Sequence, residues 1–514
     1  MTRTDLVERL VGVHLSAGRG DHTAYADPDV GEVSYRGLYE ASRGYAGALR
    51  AAGVPAGSRG LIVADDSVAT VVAVLGSWWH GCVPVPVSPL LPDGDLEHVV
   101  RDCAPRFTHF DARAKWRPAG PMPALSADTV LGALRDGQHI AEFGDQPASW
   151  LAGTEALVQY TSGSTGAPKG VRHAADAIVA MLDGFGRRVM LRPDDRVLSS
   201  ARMSFGYGFG SSVLCPLSAG ATVILIRGAI DVHSVVAAAQ QHHPTVLCSV
   251  PRMYAALLDH QERRPTSAFD ALRLCLSAGE DCPAELADRI RGAFASDLVN
   301  CLGATEALHV VLSTQPERDA VGSLGFAVPG TTATVRDDRG RVVPDGIQGR
   351  LHVAGPTVSL GYTGQSDATA FTDGGLYTGD IVCRHGDGSF EYVCRGDDLL
   401  MLGGHKVAPG EIEQVVLAAE GARECAVIGT SDEHGLMAAV VYVVPAAGAD
   451  PDEVRRSVTA AMRRKLPAYK RPAGIQLLAE LPVTVTGKVA AHRLRAQGTP
   501  SRVVPEEIGR QFHP

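Results

Sequence analysis

Between residues 195 and 305, short apolar, β-branched runs alternate with stretches whose apolar positions recur every three or four residues. Arg196–Ser200, Ala221–Ile226, Thr245–Val250, Leu272–Ser277 and Leu298–Leu302 read as strands. Val232–Gln241, Pro251–Asp259 and Pro283–Phe294 read as helices, the last with proline at its first helical position. Near-continuous apolar strands separated by helices predict a parallel sheet covered on both faces. Gly60–Val63 and Val68–Gly76 repeat the pattern nearer the start.

After residue 320 glycine, proline and aspartate become frequent, and the predicted strands Ala333–Arg336, Gly349–Ala354 and Ser389–Cys394 look short and antiparallel. A charged turn, Arg395-Gly396-Asp397-Asp398, follows. Beyond it the pattern predicts a helix over Gly410–Ala419, strands over Ala426–Gly429 and Ala438–Val444, a helix over Pro451–Lys465 and a last strand near Ile475–Leu478. The expectation is an α/β protein in two parts: residues 1–396 with doubly wound sheets, and a smaller α+β domain over 397–514.

Composition narrows the function classes. A formal net charge of −9 with no basic stripe excludes a nucleic-acid partner. No uncharged apolar stretch is long enough to span a bilayer, so no membrane role is expected. The ten cysteines form no Cys-x2-Cys pair and do not cluster with histidine, which excludes a thiolate metal site and fits a reducing compartment. With Arg3, Asp5, Glu8 and Arg9 in place of an apolar leader, the expected location is cytoplasmic. A homodimer is compatible with all of this, but nothing in the sequence dictates an oligomeric state.

The candidate chemistry starts at Tyr160-Thr161-Ser162-Gly163-Ser164-Thr165-Gly166-Ala167-Pro168-Lys169-Gly170, preceded by the apolar run Ala156, Leu157 and Val158. Glycines let the backbone approach a ligand, hydroxyls donate to its oxygens, and Lys169 adds a compact cation, a combination suited to a polyphosphate. The spacing is not that of a Walker A loop. Taken alone, the stretch also reads as a flexible turn. Lysine is scarce, and Lys169, Lys406 and Lys488 all fall in predicted turns that contain glycine, where a flexible point charge differs from arginine's planar fork.

Four further segments join it. Leu302-Gly303-Ala304-Thr305-Glu306 ends a predicted buried strand, where doubly wound sheets bind ligands; Glu306 there could ligate Mg²⁺ or merely cap a helix. Asp380, in Tyr377-Thr378-Gly379-Asp380, could accept both ribose hydroxyls or serve as a plain turn residue. Arg395 could reach phosphate or ribose, with Gly396 and Asp397 as a hinge, although the segment taken alone reads more readily as a surface linker with incidental charges. Lys488, in Thr486-Gly487-Lys488, is either a solvated lysine or a mobile cation that neutralises transition-state charge.

In this order, Thr161–Gly170, Gly303–Glu306, Tyr377–Asp380, Arg395–Asp398 and Thr486–Lys488 resemble the adenylate-forming superfamily of acyl- and aryl-CoA synthetases, and the likeness spans nearly the whole chain. Residues Gly303–Ser313, Ser277–Glu280 and Phe205–Gly210 most resemble benzoate-CoA ligases. The resemblance implies a β-barrel-like part within the N-terminal region and a mobile C-terminal domain that rotates about Asp397. It implies ATP, Mg²⁺ and CoA as cofactors, with Thr161, Ser162, Gly163, Ser164, Thr165, Gly166 and Lys169 on the pyrophosphate. Ser277, Ala278, Gly279, Glu280, Leu302, Gly303, Ala304 and Thr305 would surround the adenine. Asp380 would hold the ribose, Arg395 the nucleotide, and Glu306 the metal. Catalysis would fall to Lys488, Glu306 and Thr161.

The acid pocket implied by the resemblance comprises Phe205, Gly206, Tyr207, Gly303, His309 and Val310, and the thiol channel Gly404 and Lys406. Leu302 stands where many relatives carry an aromatic under the adenine, and Gly206 is small beside Tyr207. The expected reaction is activation of a small aromatic carboxylic acid as acyl-AMP and transfer to CoA. The alternatives are transfer to a carrier-protein pantetheine arm or to another nucleophile, and His309 as a packed core residue.

Overall fold

The computed structural model describes residues 3–112, 114, 116–117, 122–141, 146–161, 168–316, 318, 320, 323–364, 368–402, 405–431, 437–483 and 489–496. Two units emerge, one of residues 1–347, 351–378 and 384–391, the other of 348–350, 379–383 and 392–514.

The first unit carries a nine-stranded sheet. Its centre is parallel and runs in space through Asp297–Gly303, Leu274–Ala278, Val246–Ser249, Arg196–Ser199, Thr222–Ile224 and Thr23–Asp27. Antiparallel strands Val310–Ser313 and Phe326–Ala327 extend one edge, and Gly31–Ser34 the other. Both faces are covered, which explains the unbroken apolar runs. Val197, Val246, Leu276 and Val299 enter one core, while their neighbours Leu198, Leu247, Cys275 and Leu298 enter a second core with Val235, Leu257 and Ile290. After Arg196–Ser199 the chain moves to one side of the sheet, and after Val246–Ser249 to the other. Their carboxyl ends therefore form a topological switch point, the place where such sheets open a crevice.

A second, all-parallel sheet orders Val83–Val87, Arg59–Val63, Phe107–Phe110 and Ala124–Ser126. Its crossover helix Val68–Trp79 is buried on every side, capped by Ser67, whose Oγ accepts from the Thr70 N–H at 3.2 Å. A five-stranded sheet follows over residues 332–395. The second unit packs helices Pro409–Leu417 and Pro451–Lys465 on the sheet of Ala422–Ser431, Met437–Pro445 and Gly474–Leu477. Among the described residues no helix is long and apolar enough to cross a membrane.

Three local expectations change, at Pro283, at Lys406 and at Lys169, which opens the strand Lys169–Ala174 opposite Thr161 rather than sitting in a turn. Pro283 is the N-cap rather than the first helical residue, because its extended ψ of 146° leaves its carbonyl to accept from Ala287 at 2.9 Å while the helix starts at Ala284. Lys406 lies within the strand His405–Val407 rather than in a turn, since its backbone pairs with Met401 of Leu400–Leu402.

Glu155–Thr161 and Lys169–Ala174 form an antiparallel hairpin with Thr161 opposite Lys169. Glu155 anchors it, accepting from Arg59 at 2.7 and 2.9 Å and from Arg172 at 2.5 Å. On the same hairpin His173 is fully buried, and burial pushes its imidazole down to about 3 against the weaker pull of Glu155. Between pH 6.5 and that value the unfolded chain holds a proton the native state refuses, so stability is complete above pH 6.5 and falls as pH drops. Relative to His173→Leu, the wild type should lose about 1.4 kcal/mol per pH unit below 6.5. Urea denaturation at pH 7.5 and pH 5 reads this, and a wild-type-to-variant difference independent of pH contradicts it.

Candidate active site

The hairpin ends, the sheet edge and a distant loop meet in the first unit. Lys169 Nζ lies 5.4 Å from the centroid of the Tyr362 ring, and the Tyr362 hydroxyl donates to Glu306 Oε1 at 2.8 Å. One tyrosine thus contacts both the cation and the carboxylate. The Tyr362 segment is tied to the hairpin through Thr363 N–H to the Gly170 carbonyl at 2.7 Å and Arg172 N–H to the Gly361 carbonyl at 2.9 Å. Thr161 ends its strand half-buried opposite Lys169. Ser162, Gly163, Ser164, Thr165 and Gly166 lie outside the described residues.

Glu306 sits in a short 3₁₀ turn, Thr305–Ala307, that follows the central strand Asp297–Gly303. Its half-buried carboxylate, oriented by Tyr362, is a hard oxygen donor of the kind Mg²⁺ takes singly alongside phosphate oxygens. No group of three metal-ligating side chains occurs among the described residues. Leu302, Gly303, Ala304 and Thr305 run along this strand end, and Ser277, Ala278, Gly279 and Glu280 along the end of the neighbouring Leu274–Ala278 strand. Both stretches therefore border the same edge of the sheet.

Phe205, Gly206 and Tyr207 follow the strand Arg196–Ser199 at the switch point. The Tyr207 hydroxyl donates to the Leu276 carbonyl at 3.0 Å, and its ring lies 6.0 Å from that of His309 at an interplanar angle of 33°. Phe185 faces the imidazole from 5.1 Å. Burial pushes His309 down to about 4, opposed by a 3.4 Å contact with the Tyr207 carbonyl, so the ring is neutral at working pH. Val310 pairs with Gly303, where a Cβ would meet the His309 carbonyl oxygen at 2.7 Å. His309 is thus both buried, at 4% exposure, and part of the Tyr207 wall.

Gly210 makes room for that imidazole, because a Cβ there would fall 2.0 Å from His309 Nε2. Gly210→Ala should destabilise the protein by roughly 1–3 kcal/mol through overpacking. Urea unfolding at neutral pH measures it, and unchanged stability contradicts it.

The second unit holds the remaining described residues. Arg395 Nη1 donates to Asp380 Oδ1 at 3.1 Å, and its Nε lies 3.4 Å from Asp397. Burial opposes the guanidinium charge, but Asp380 and Asp397 outweigh it and raise the Arg395 pKa. Gly379 takes φ +84°, and a Cβ there would stand 2.6 Å from Arg395 Nη2, so glycine admits the arginine. Asp397 lies in the turn after the strand Phe390–Arg395. Lys488 and Gly404 lie outside the described residues, as does the side chain of Lys406.

Sequence reasoning missed Tyr362, Phe185 and Thr363. Tyr362 is 56 residues from Glu306, and no local pattern signals a contact at that separation.

Known proteins share this fold. A family model described as AMP-binding enzyme matches residues 14–363, and one described as AMP-binding enzyme C-terminal domain matches 411–488. The chain belongs to the AMP-binding enzyme family. It is an adenylate-forming ligase with the mixed α/β fold of that superfamily. The 4-hydroxybenzoate–CoA/benzoate–CoA ligase of Rhodopseudomonas palustris is 33% identical over 96% of this chain and 93% of its own. The benzoate–CoA ligase of Thauera aromatica is 31% identical over 96% of each. Among solved members of the fold, a benzoate CoA ligase from Burkholderia xenovorans LB400 superposes with a TM-score of 0.84 at 29% identity, over 96% of this chain and 100% of that one. The anthranilate CoA ligase AuaEII, in complex with anthranoyl-AMP, gives 0.86 at 28%, over 96% and 97%.

Proposed function

We infer that this ligase activates a small aromatic carboxylic acid, larger than benzoate, as its acyl-AMP and passes the acyl group to CoA. The observation that carries the reading is the tilted packing of Tyr207 against His309, 6.0 Å apart at 33°, beside the side-chain-free Gly206. Two flat rings, one a neutral imidazole, suit an aryl ring better than a flexible alkyl chain, and the glycine leaves space for more than a bare phenyl group. The relatives named above, which act on benzoates by their names, support the same class.

The first step joins a carboxylate oxygen to the α-phosphorus of ATP and releases pyrophosphate; the second joins a thiol sulfur to the acyl carbon and releases AMP. Both need positioning and charge stabilisation more than covalent help from the protein. Thr161 through Lys169 hold the pyrophosphate, and Lys169 is kept in place over the Tyr362 ring. Glu306, oriented by Tyr362, would hold Mg²⁺, which when bound neutralises phosphate charge. Ser277–Glu280 and Leu302–Thr305 take the adenine and Asp380 the ribose. Arg395, held charged by its carboxylate neighbours, takes the nucleotide. Lys488 bridges the substrate carboxylate and the nucleotide in the first step, Asp397 serves as the hinge of a domain running from 397, and Gly404 and Lys406 border the thiol path.

Product mass tests the acceptor. Incubation with ATP, Mg²⁺, a hydroxybenzoate and CoA should give the aroyl-CoA thioester. Free acyl-AMP that persists with CoA present but is consumed by a pantetheinylated carrier protein would contradict CoA as acceptor.

A further inference from the structure

Gln159 is the polar exception in the run Ala156-Leu157-Val158-Gln159-Tyr160. It is 1% exposed, and neither its Nε2 nor its Oε1 finds a hydrogen-bond partner among the described residues. Buried amides are normally paired, because desolvation without a partner is costly. A carboxamide placed here without a protein partner asks for a ligand that supplies one.

Its position says which ligand. A Cβ built on Gly206 would lie 3.5 Å from Gln159 Oε1, 3.5 Å from the Leu308 carbonyl oxygen and 4.0 Å from Thr305 Oγ1. Three polar groups from two segments, the strand Glu155–Thr161 and the turn over residues 305–308, thus converge on the side of Gly206, next to Tyr207. The Leu308 carbonyl is directed by a strained turn: Leu308 takes φ +69° and ψ −46°, with the His309 N–H bonded to the Ala307 carbonyl at 2.8 Å. A leucine at positive φ is held there only by surroundings that outweigh the strain, and such residues concentrate where a site must present a particular group.

We propose that Gln159 is a specificity-determining residue that hydrogen-bonds a ring hydroxyl of the acid, so that the enzyme selects hydroxylated aromatic acids over unsubstituted or methylated ones of equal size. A phenolic hydroxyl satisfies the arrangement because it accepts from Nε2 and donates to the Leu308 carbonyl or to Gln159 Oε1. A methyl group fills the same volume and leaves the Gln159 carboxamide unpaired, which is how sites built for a hydroxyl reject its isosteres. The proposal rests on the acid-pocket reading given above and adds the chemistry of the substituent.

Acid-dependent pyrophosphate release decides it, measured as kcat/KM for 3- and 4-hydroxybenzoate, the matching methylbenzoates and benzoate. The wild type should prefer at least one hydroxybenzoate over its methyl counterpart by about tenfold or more, and Gln159→Met should bring that ratio to about unity. Gln159→Asn, which keeps a shortened carboxamide, should fall between them and serves if the methionine variant does not fold. Equal use of hydroxyl and methyl acids by the wild type, or a ratio untouched by either substitution, overturns the assignment while leaving aromatic-acid activation standing. Pyrophosphate release with no aromatic acid at all overturns the activation reading, and this proposal with it.

Discussion

Lys488→Ala lowers the rate of acyl-adenylate formation by about 10³-fold and leaves thiolysis of supplied acyl-adenylate nearly unchanged. Attack of a carboxylate on the α-phosphorus gathers negative charge from both partners, and a cation on a flexible stem offsets it only as the new bond forms. Removal of one such charge costs on the order of 10²–10³-fold where water is excluded, and more where the group acts on a phosphoryl centre. The second step breaks the acyl–phosphate bond, and AMP departs without that requirement. Single-turnover assays of the two half-reactions separate the steps. Equal losses in both contradict the role given to Lys488.

Glu306→Gln lowers kcat for adenylation by about 10²-fold and raises the Mg²⁺ concentration needed for half-maximal rate. The amide oxygen can still accept from the Tyr362 hydroxyl, which donates to Glu306 at 2.8 Å, so the turn over Thr305–Ala307 and its orientation survive. Only the negative charge is lost, and with it the hard ligand that Mg²⁺ prefers. A Mg²⁺ titration of the initial rate distinguishes metal binding from positioning. An unchanged Mg²⁺ dependence, whatever happens to kcat, contradicts metal ligation by Glu306.

The large sheet was legible because both of its faces are buried. Leu247 and Val246, side by side, enter different cores, so apolar residues run on without the polar alternation of a half-exposed strand. The helix expected over Pro451–Lys465 has those bounds, with Asp450 capping its start by accepting from Asp452 at 2.8 Å. Boundaries slipped where backbone hydrogen bonding, rather than side-chain pattern, decides them. Pro283, Lys406 and Lys169 are instances.

The site was legible by motif and illegible by contact. Glu306 and Lys169 each stand in a recognisable stretch, yet the tyrosine that contacts both comes from a segment with no signal of its own. Gln159 did leave a trace. A polar residue inside an apolar strand that precedes a glycine-rich loop breaks the pattern, and the break becomes meaningful once its carboxamide is seen to be buried without a partner beside Gly206. Likewise Gly206 reads as a missing side chain in the sequence, and only its neighbours at 3.5 Å show that the space it leaves is polar on one side.

Isotope exchange between labelled pyrophosphate and ATP, with aromatic and aliphatic acids offered one at a time, tests acid activation most directly, because it needs neither CoA nor any other acceptor. Label should enter ATP with small aromatic carboxylic acids and not without an acid. Exchange with no acid offered, or a clear preference for fatty acids, would contradict the account.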